Sequence, residues 1–134
     1  MSKFGKYILL SVSFLILSAC FLIGNRLVDS NANAHIWNDM NANGIMGPED
    51  TPIEGIKVCA TTNKDVDNEA EAEYCYYSDK NGDVPSSNEV RGMFFPGTKC
   101  QDIFIFIILP ENYLLSTQEK VNGCVASFGL IEVR

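Results

Sequence analysis

Oxygen-bearing residues stand at the spacing of a cation loop: Asp39, Asn41 and Asn43 at alternate positions, then Gly44, the carbonyl of Ile45, and Asp50 at the twelfth position. A hard cation such as calcium takes roughly six to eight oxygens, and a glycine at the sixth position allows the sharp turn that gathers them. Of the four side-chain ligands only Asp39 and Asp50 are charged, and Asp50 is shorter than the glutamate usual at the closing position. Weak calcium binding is therefore expected, in the roughly millimolar to submillimolar range of extracellular modules. Glu49 is an alternative closing ligand. The competing reading is an Asn/Asp/Gly turn that binds nothing. A helical calcium motif would run on into a helix, whereas Thr51-Pro52-Ile53-Glu54-Gly55-Ile56-Lys57-Val58 has Pro and Gly and then alternates as a strand does.

The second chemistry-bearing set is the cysteines. Apart from Cys20, Cys59, Cys75, Cys100 and Cys124 form an even set, which reads as two disulfides in an exported chain. Four cysteines allow three pairings that spacing does not decide; Cys59–Cys75 with Cys100–Cys124 is expected because each pair would link neighbouring strands. A zinc site has little support, since no C-x-x-C occurs and His35 is the single histidine. No nucleophile, base and orienting group stand together, so the chain is not expected to be an enzyme. Lys57 is read as a solvent-facing strand lysine rather than half of an isopeptide cross-link.

The elements that position these residues begin with an export segment. Lys3 and Lys6 precede an apolar run over residues 7–19, as in a secretory signal. It closes on Leu17-Ser18-Ala19-Cys20, which resembles the lipobox of bacterial lipoproteins and implies a cut before a lipidated Cys20. The alternative is an uncut anchor, because apolar character continues through Phe21, Leu22 and Ile23 to Gly24, near the lower limit for a membrane span. Either way the rest of the chain lies outside the cytoplasm, held at the membrane by acyl chains or by a helix. The organisation is a signal peptide over 1–19, a lipidated cysteine and tether over 20–34, and one domain over 35–134.

The whole chain carries a net charge of −7; without Lys3 and Lys6 it has eight basic against seventeen acidic side chains, or −9. Nucleic acid is an unsuitable partner for such a surface. About a hundred exported residues bury only a modest core, so cross-links or a metal would help materially. Short apolar segments separated by turn residues indicate an all-β domain. Strands are expected over 53–61, 73–78, 92–95, 102–109 and 124–131, rich in Val, Ile, Tyr and Phe. The run over 102–109, nearly all apolar, is expected to be central and buried on both faces. Residues 64–73, acidic and poor in large apolar groups, read as a solvated surface loop.

From 35 to 130 the landmarks resemble the B-type repeat domain of serine-aspartate repeat (Sdr) surface proteins. They are Ile36-Trp37-Asn38-Asp39-Met40-Asn41-Ala42-Asn43-Gly44-Ile45, then Pro52-Ile53-Glu54-Gly55-Ile56-Lys57-Val58, Ser78-Asp79-Lys80-Asn81-Gly82, Pro96-Gly97, Leu109-Pro110-Glu111-Asn112-Tyr113 and Ser127-Phe128-Gly129-Leu130. The resemblance implies an immunoglobulin-like or prealbumin-like β-sandwich that binds calcium and serves as a structural segment of cell-surface adhesins. Gly47 stands where that family has an acid, Asp50 where it has Glu, and the cysteines are additional.

The expected function is a cell-envelope lipoprotein displaying one calcium- and disulfide-stabilised sandwich in a structural or adhesion role, with the membrane as partner through Cys20. The alternative is a module whose loops, residues 64–73 or Arg91-Gly92-Met93-Phe94-Phe95, bind a carbohydrate or a surface protein. At least one ring of the Phe94-Phe95 pair is expected in the core, and Trp37 is expected to be a core or strand-start residue beside the cation loop.

Overall fold

The computed structural model describes residues 28–134. The signal segment over 1–19, Cys20 and the tether as far as residue 27 lie outside the described residues. In chain order the strands are β1 Ser30–Asn38, β2 Thr51–Pro52, β3 Lys57–Thr61, β4 Tyr74–Tyr77, β5 Asp83–Val84, β6 Met93–Phe95, β7 Phe104–Ile108, β8 Tyr113–Leu115, β9 Lys120–Asn122 and β10 Val125–Glu132. Two single 3-10 turns, Glu69–Glu71 and Cys100–Asp102, interrupt them. The fold is an all-β sandwich of two packed sheets.

The first sheet is built on β1. On β10 it pairs in parallel, Asn33 opposite Val125 through Asn38 opposite Leu130. A parallel pair needs a long crossover, and here the crossover is the whole of the intervening domain. Its other partners are short antiparallel strands in sequence: β6 opposite Ser30, Asn31 and Ala32, β5 opposite Ala34 and His35, and β2 opposite Trp37 and Asn38. Strand β8 pairs with the far end of β10. The second sheet runs β4-β3-β7-β9, all antiparallel.

Strand β1 starts at Ser30, inside the segment read from sequence as tether. Ala32 and Ala34 point into the core and Asn31 and Asn33 outward; alternating Ala with Asn gives so little hydrophobic contrast that the strand signal is faint. Strand β3 starts at Lys57 rather than at residue 53, because residues 53–56 cross between the sheets. There Ile53 N donates to Ile36 O, whereas Ile56 N donates to the buried Ser78 hydroxyl, which itself donates to Ile53 O.

The core lies between the sheets, where Ile36, Phe128 and Leu130 face Val58, Ile105 and Ile107. Each such side chain contributes about 1.5–3 kcal/mol on burial. Strand β7 occupies an interior position, and its apolar run is buried on both faces as expected. Phe106 points away from the core but is covered by Val66 and Cys59, so a second small cluster forms under the connection between β3 and β4.

Both disulfides join the expected partners. Cys59–Cys75 links directly opposed residues of β3 and β4. Cys100–Cys124 ties the turn before β7 to the start of β10, clasping the two sheets at the end of the sandwich where β1 begins. Such bonds persist in an oxidising, extracytoplasmic setting. Among the described residues no helix is long and apolar enough to cross a membrane.

Candidate functional site

The cation loop hangs from the end of the β1–β10 pair. Asp39 N donates to Leu130 O at 2.8 Å, extending the ladder by one rung, and Asp39 is only 1% exposed. Its carboxylate turns back into the loop, Oδ2 accepting from Gly44 N at 2.7 Å and Oδ1 from Asn43 N at 3.3 Å. Asn43 Oδ1 accepts from Ile45 N at 2.9 Å. Asp50 closes the loop, accepting from Met40 N at 3.0 Å and from Gly47 N at 2.7 Å. Glu49 Oε1 is 3.4 Å from Asn41 Nδ2. Asp39, Asn41, Asn43, Glu49 and Asp50 thus belong to one hydrogen-bonded loop, while the Ile45 side chain is exposed and makes no part of it. The turn uses left-handed backbone at Ala42 (φ 56°) and Gly44 (φ 72°). At Gly44 a Cβ would also stand 3.0 Å from Ser116 O, so both conformation and space call for glycine.

Burial alone would push the Asp39 carboxyl up. The Ser116 hydroxyl and the amides of Gly44, Asn43 and Ala42 outweigh it and hold Asp39 below the ordinary carboxylate range. Ser116 Oγ is itself buried and meets no partner in hydrogen-bonding geometry. We therefore count it as a dipole beside Asp39 rather than as a formed bond. The two ion pairs among the described residues, His35–Asp83 and Lys57–Glu69, lie elsewhere, so the carboxylates of this loop have amide dipoles around them and no side-chain cation.

This donor set suits a hard cation. Its atoms are carboxylate and amide oxygens, each keeping a lone pair beyond the bonds described, and a buried hydroxyl beside Asp39 lacks a partner. Among the described residues no group of three or more His, Cys, Asp or Glu gathers, the loop's donors being half amide.

Trp37 lies on the outer side of β1, opposite in direction to Ile36, yet is 2% exposed. Its Nε1 donates to Ser127 Oγ at 2.9 Å. The ring lies across Gly129: a Cβ there would stand 2.7 Å from two ring carbons and 2.5 Å from Ser116 Oγ. Gly129 thereby brings Trp37 and Ser116 together below the loop. Trp37 is buried beside the loop, but it stands at the end of β1 rather than at a strand start and belongs to this outer cluster rather than to the core between the sheets. Ser116 and Gly129 were not legible as site residues, since neither spacing nor residue type marks them.

The acidic segment is a surface loop, as expected, with every residue of 64–73 exposed except Val66 and Ala72, yet it is tied down at several points. Val66 is buried over Phe106, Lys57 Nζ binds Glu69 Oε1 at 2.7 Å, and Lys120 Nζ donates to the carbonyls of Lys64 and Val66. Glu73 accepts from the Thr62 hydroxyl at 2.6 Å. Lys57, read as solvent-facing, is instead half-covered by this segment, with its ammonium 4.8 Å from the Tyr77 ring centroid.

Two further features were not anticipated. His35 Nδ1 and Asp83 Oδ1 lie 3.0 Å apart across β1 and β5. Asp79 Oδ1 accepts from Asp83 N and Asn81 N, and chiefly the Asp83 amide keeps it below the ordinary range. The phenylalanine pair splits as expected, Phe95 into the core at 4% exposed and Phe94 outward at 37%. No protein-family model and no curated protein matches this chain.

Proposed function

We propose that this chain is a cell-envelope lipoprotein, anchored through Cys20, that displays a single β-sandwich stabilised by calcium as well as by its disulfides, in a structural or adhesive role. The observation that carries the calcium reading is Asp39: a buried carboxylate on the end of the β1–β10 ladder, with no cationic side chain to balance it and an unpartnered hydroxyl beside it. Asp39, Asn41, Asn43, the Ile45 carbonyl and Asp50 would hold the ion, which supplies the missing positive charge. The loop lies where β1 ends, so a bound ion would tie the chain leaving β1 to the ends of β8 and β10. The order of landmarks over 35–130, with its likeness to the Sdr B-type repeat domain, supports the same reading.

The test is thermal unfolding of the oxidised domain in calcium, in magnesium and in excess chelator, followed by Trp37 fluorescence. Calcium at about a hundredfold over its dissociation constant adds about 2.7 kcal/mol and raises the midpoint by roughly ten degrees or more. A rise that is absent with magnesium and lost in Asp39→Ala supports the site. Identical midpoints in calcium and chelator would reduce the segment to a turn.

A further inference from the structure

We propose that the domain lies against the lipid surface through the edge carrying Phe94, Val90 and Arg91, an inference that rests on the Cys20 anchoring proposed above. Val90 is fully exposed, Val28 is 55% exposed and Phe94 is 37% exposed. Val90 and Phe94 line a shallow groove between the edge strands β4 and β6, together with Tyr74, Tyr76 and Arg91. The edge is stiff: Tyr74 Oη donates to Phe94 O at 2.6 Å, the Tyr74 ring meets Phe95 edge-on at 5.2 Å, and Tyr76 stacks beside Tyr74 at 6.4 Å. Phe94 is thus presented on backbone pinned to the opposite sheet.

The place where the chain enters selects the occupant. Phe94 pairs with Asn31, the second residue of β1. Asn31 stands eleven positions after Cys20, at most about 40 Å when fully extended. Strand β1 is itself about 30 Å long, so an anchored Cys20 keeps this edge within a domain's length of the bilayer. Charge favours the same orientation. Eight of the seventeen acids lie on residues 65–73, over the outer face of the second sheet, and on Asp39, Glu49 and Asp50 at the other end of β1. Among the residues that line the groove, only Arg91 carries a charge. Arg91 makes no ion pair or side-chain hydrogen bond among those described, leaving its guanidinium to meet lipid phosphate. Aromatic, valine and arginine side chains together suit the boundary between headgroups and acyl chains.

The experiment uses the full chain purified from membranes with its anchor and reconstituted in vesicles of phosphatidylethanolamine and phosphatidylglycerol with brominated acyl chains. Tryptophan is placed at the edge by Phe94→Trp and, as comparator, by Leu114→Trp on β8, also exposed; buried Trp37 gives the same background in both. Quenching severalfold stronger for Phe94→Trp, and reduced when Val90→Asp is added, is the expected result. Vesicle flotation with equal quenching at the two positions overturns the docking and leaves the anchor standing. Failure to float overturns both, because a few apolar side chains without acyl chains or a helix do not hold a protein on a bilayer.

Discussion

The connections over 39–50 and 62–73 are both rich in acids and asparagine, and they are held in opposite ways. The second is balanced from within: Lys57 meets Glu69, Lys120 caps two carbonyls, Thr62 meets Glu73, and Val66 sits over a cluster that includes Cys59 and Cys75. The first has no lysine, no disulfide and no buried apolar anchor of its own; Asp39, Asn43 and Asp50 hold it by accepting its backbone amides. A run of acids in sequence therefore says little. What separates the two loops is that a lysine, Lys57, pairs with one acid of the second, Glu69, whereas among the described residues no side-chain cation pairs with an acid of the first.

Removing Cys59–Cys75 by paired alanines should have the largest effect. Closure of a loop of this length contributes about 3 kcal/mol, and protease cleavage within 62–73 should appear while the calcium response survives. Next comes Asp39→Ala, which should erase the calcium-dependent rise of roughly ten degrees and leave cleavage within 62–73 unchanged. If either variant impaired both loops, the two would be one unit and the contrast would fail. Gly129→Ala should cost about 1–3 kcal/mol by overpacking Trp37 and Ser116, with a shift in Trp37 emission as its signature.

Acid should reach both loops. Asp39 and Glu73 are held below the ordinary carboxylate range, Glu73 against the opposing pull of burial by bonds from Thr62, Thr61 and its own backbone amide. Depressed values mean that the unfolded chain binds more protons, so their stabilisation is present above about pH 4–5 and is lost as pH falls further. Asp39→Asn should flatten the acid limb and remove the calcium response together, whereas Glu73→Gln should flatten it alone. The smallest change is expected from Lys57→Met, since its partner Glu69 is exposed; a large loss of stability there would mean that the ion pair, not Val66 and the disulfide, holds 62–73.

Much of the sandwich was legible because its signals are local. Val, Ile and Phe runs marked β3, β7 and β10, and at least one ring of Phe94-Phe95 was expected in the core; of the disulfides, Cys59–Cys75 joins neighbouring strands as reasoned, whereas Cys100–Cys124 was paired correctly although β8 and β9 lie between the segments it joins. Short strands such as β2, β5, β8 and β9 were not, because two or three residues become strand only through a partner's ladder. Strand β1 was not among the expected strands: the inner face of its first half carries only Ser30, Ala32 and Ala34, and Ile36-Trp37 alone is too short a run to mark the rest. In the 39–50 loop, what was legible is that Asp39, Asn43 and Asp50 belong to one turn. Ser116 and Gly129 were not, because they reach the site through the β8–β10 pairing and not through any spacing relative to Asp39.

The parallel pairing of β1 with β10 also has a consequence in time. Trp37 and the Ser127 hydroxyl it binds are ninety residues apart in the chain, and β1 emerges first while β10 emerges last. Contacts of such separation form slowly, because the loop must close before they can stabilise it. As the chain is made, β1 must wait with one edge open until nearly the whole domain has followed it. Its outer residues near the start are Asn31 and Asn33 and its inner ones Ala32 and Ala34, a composition poorly suited to sticking to another chain. The weak strand signal that hides β1 in the sequence is thus what keeps it harmless until its partner arrives.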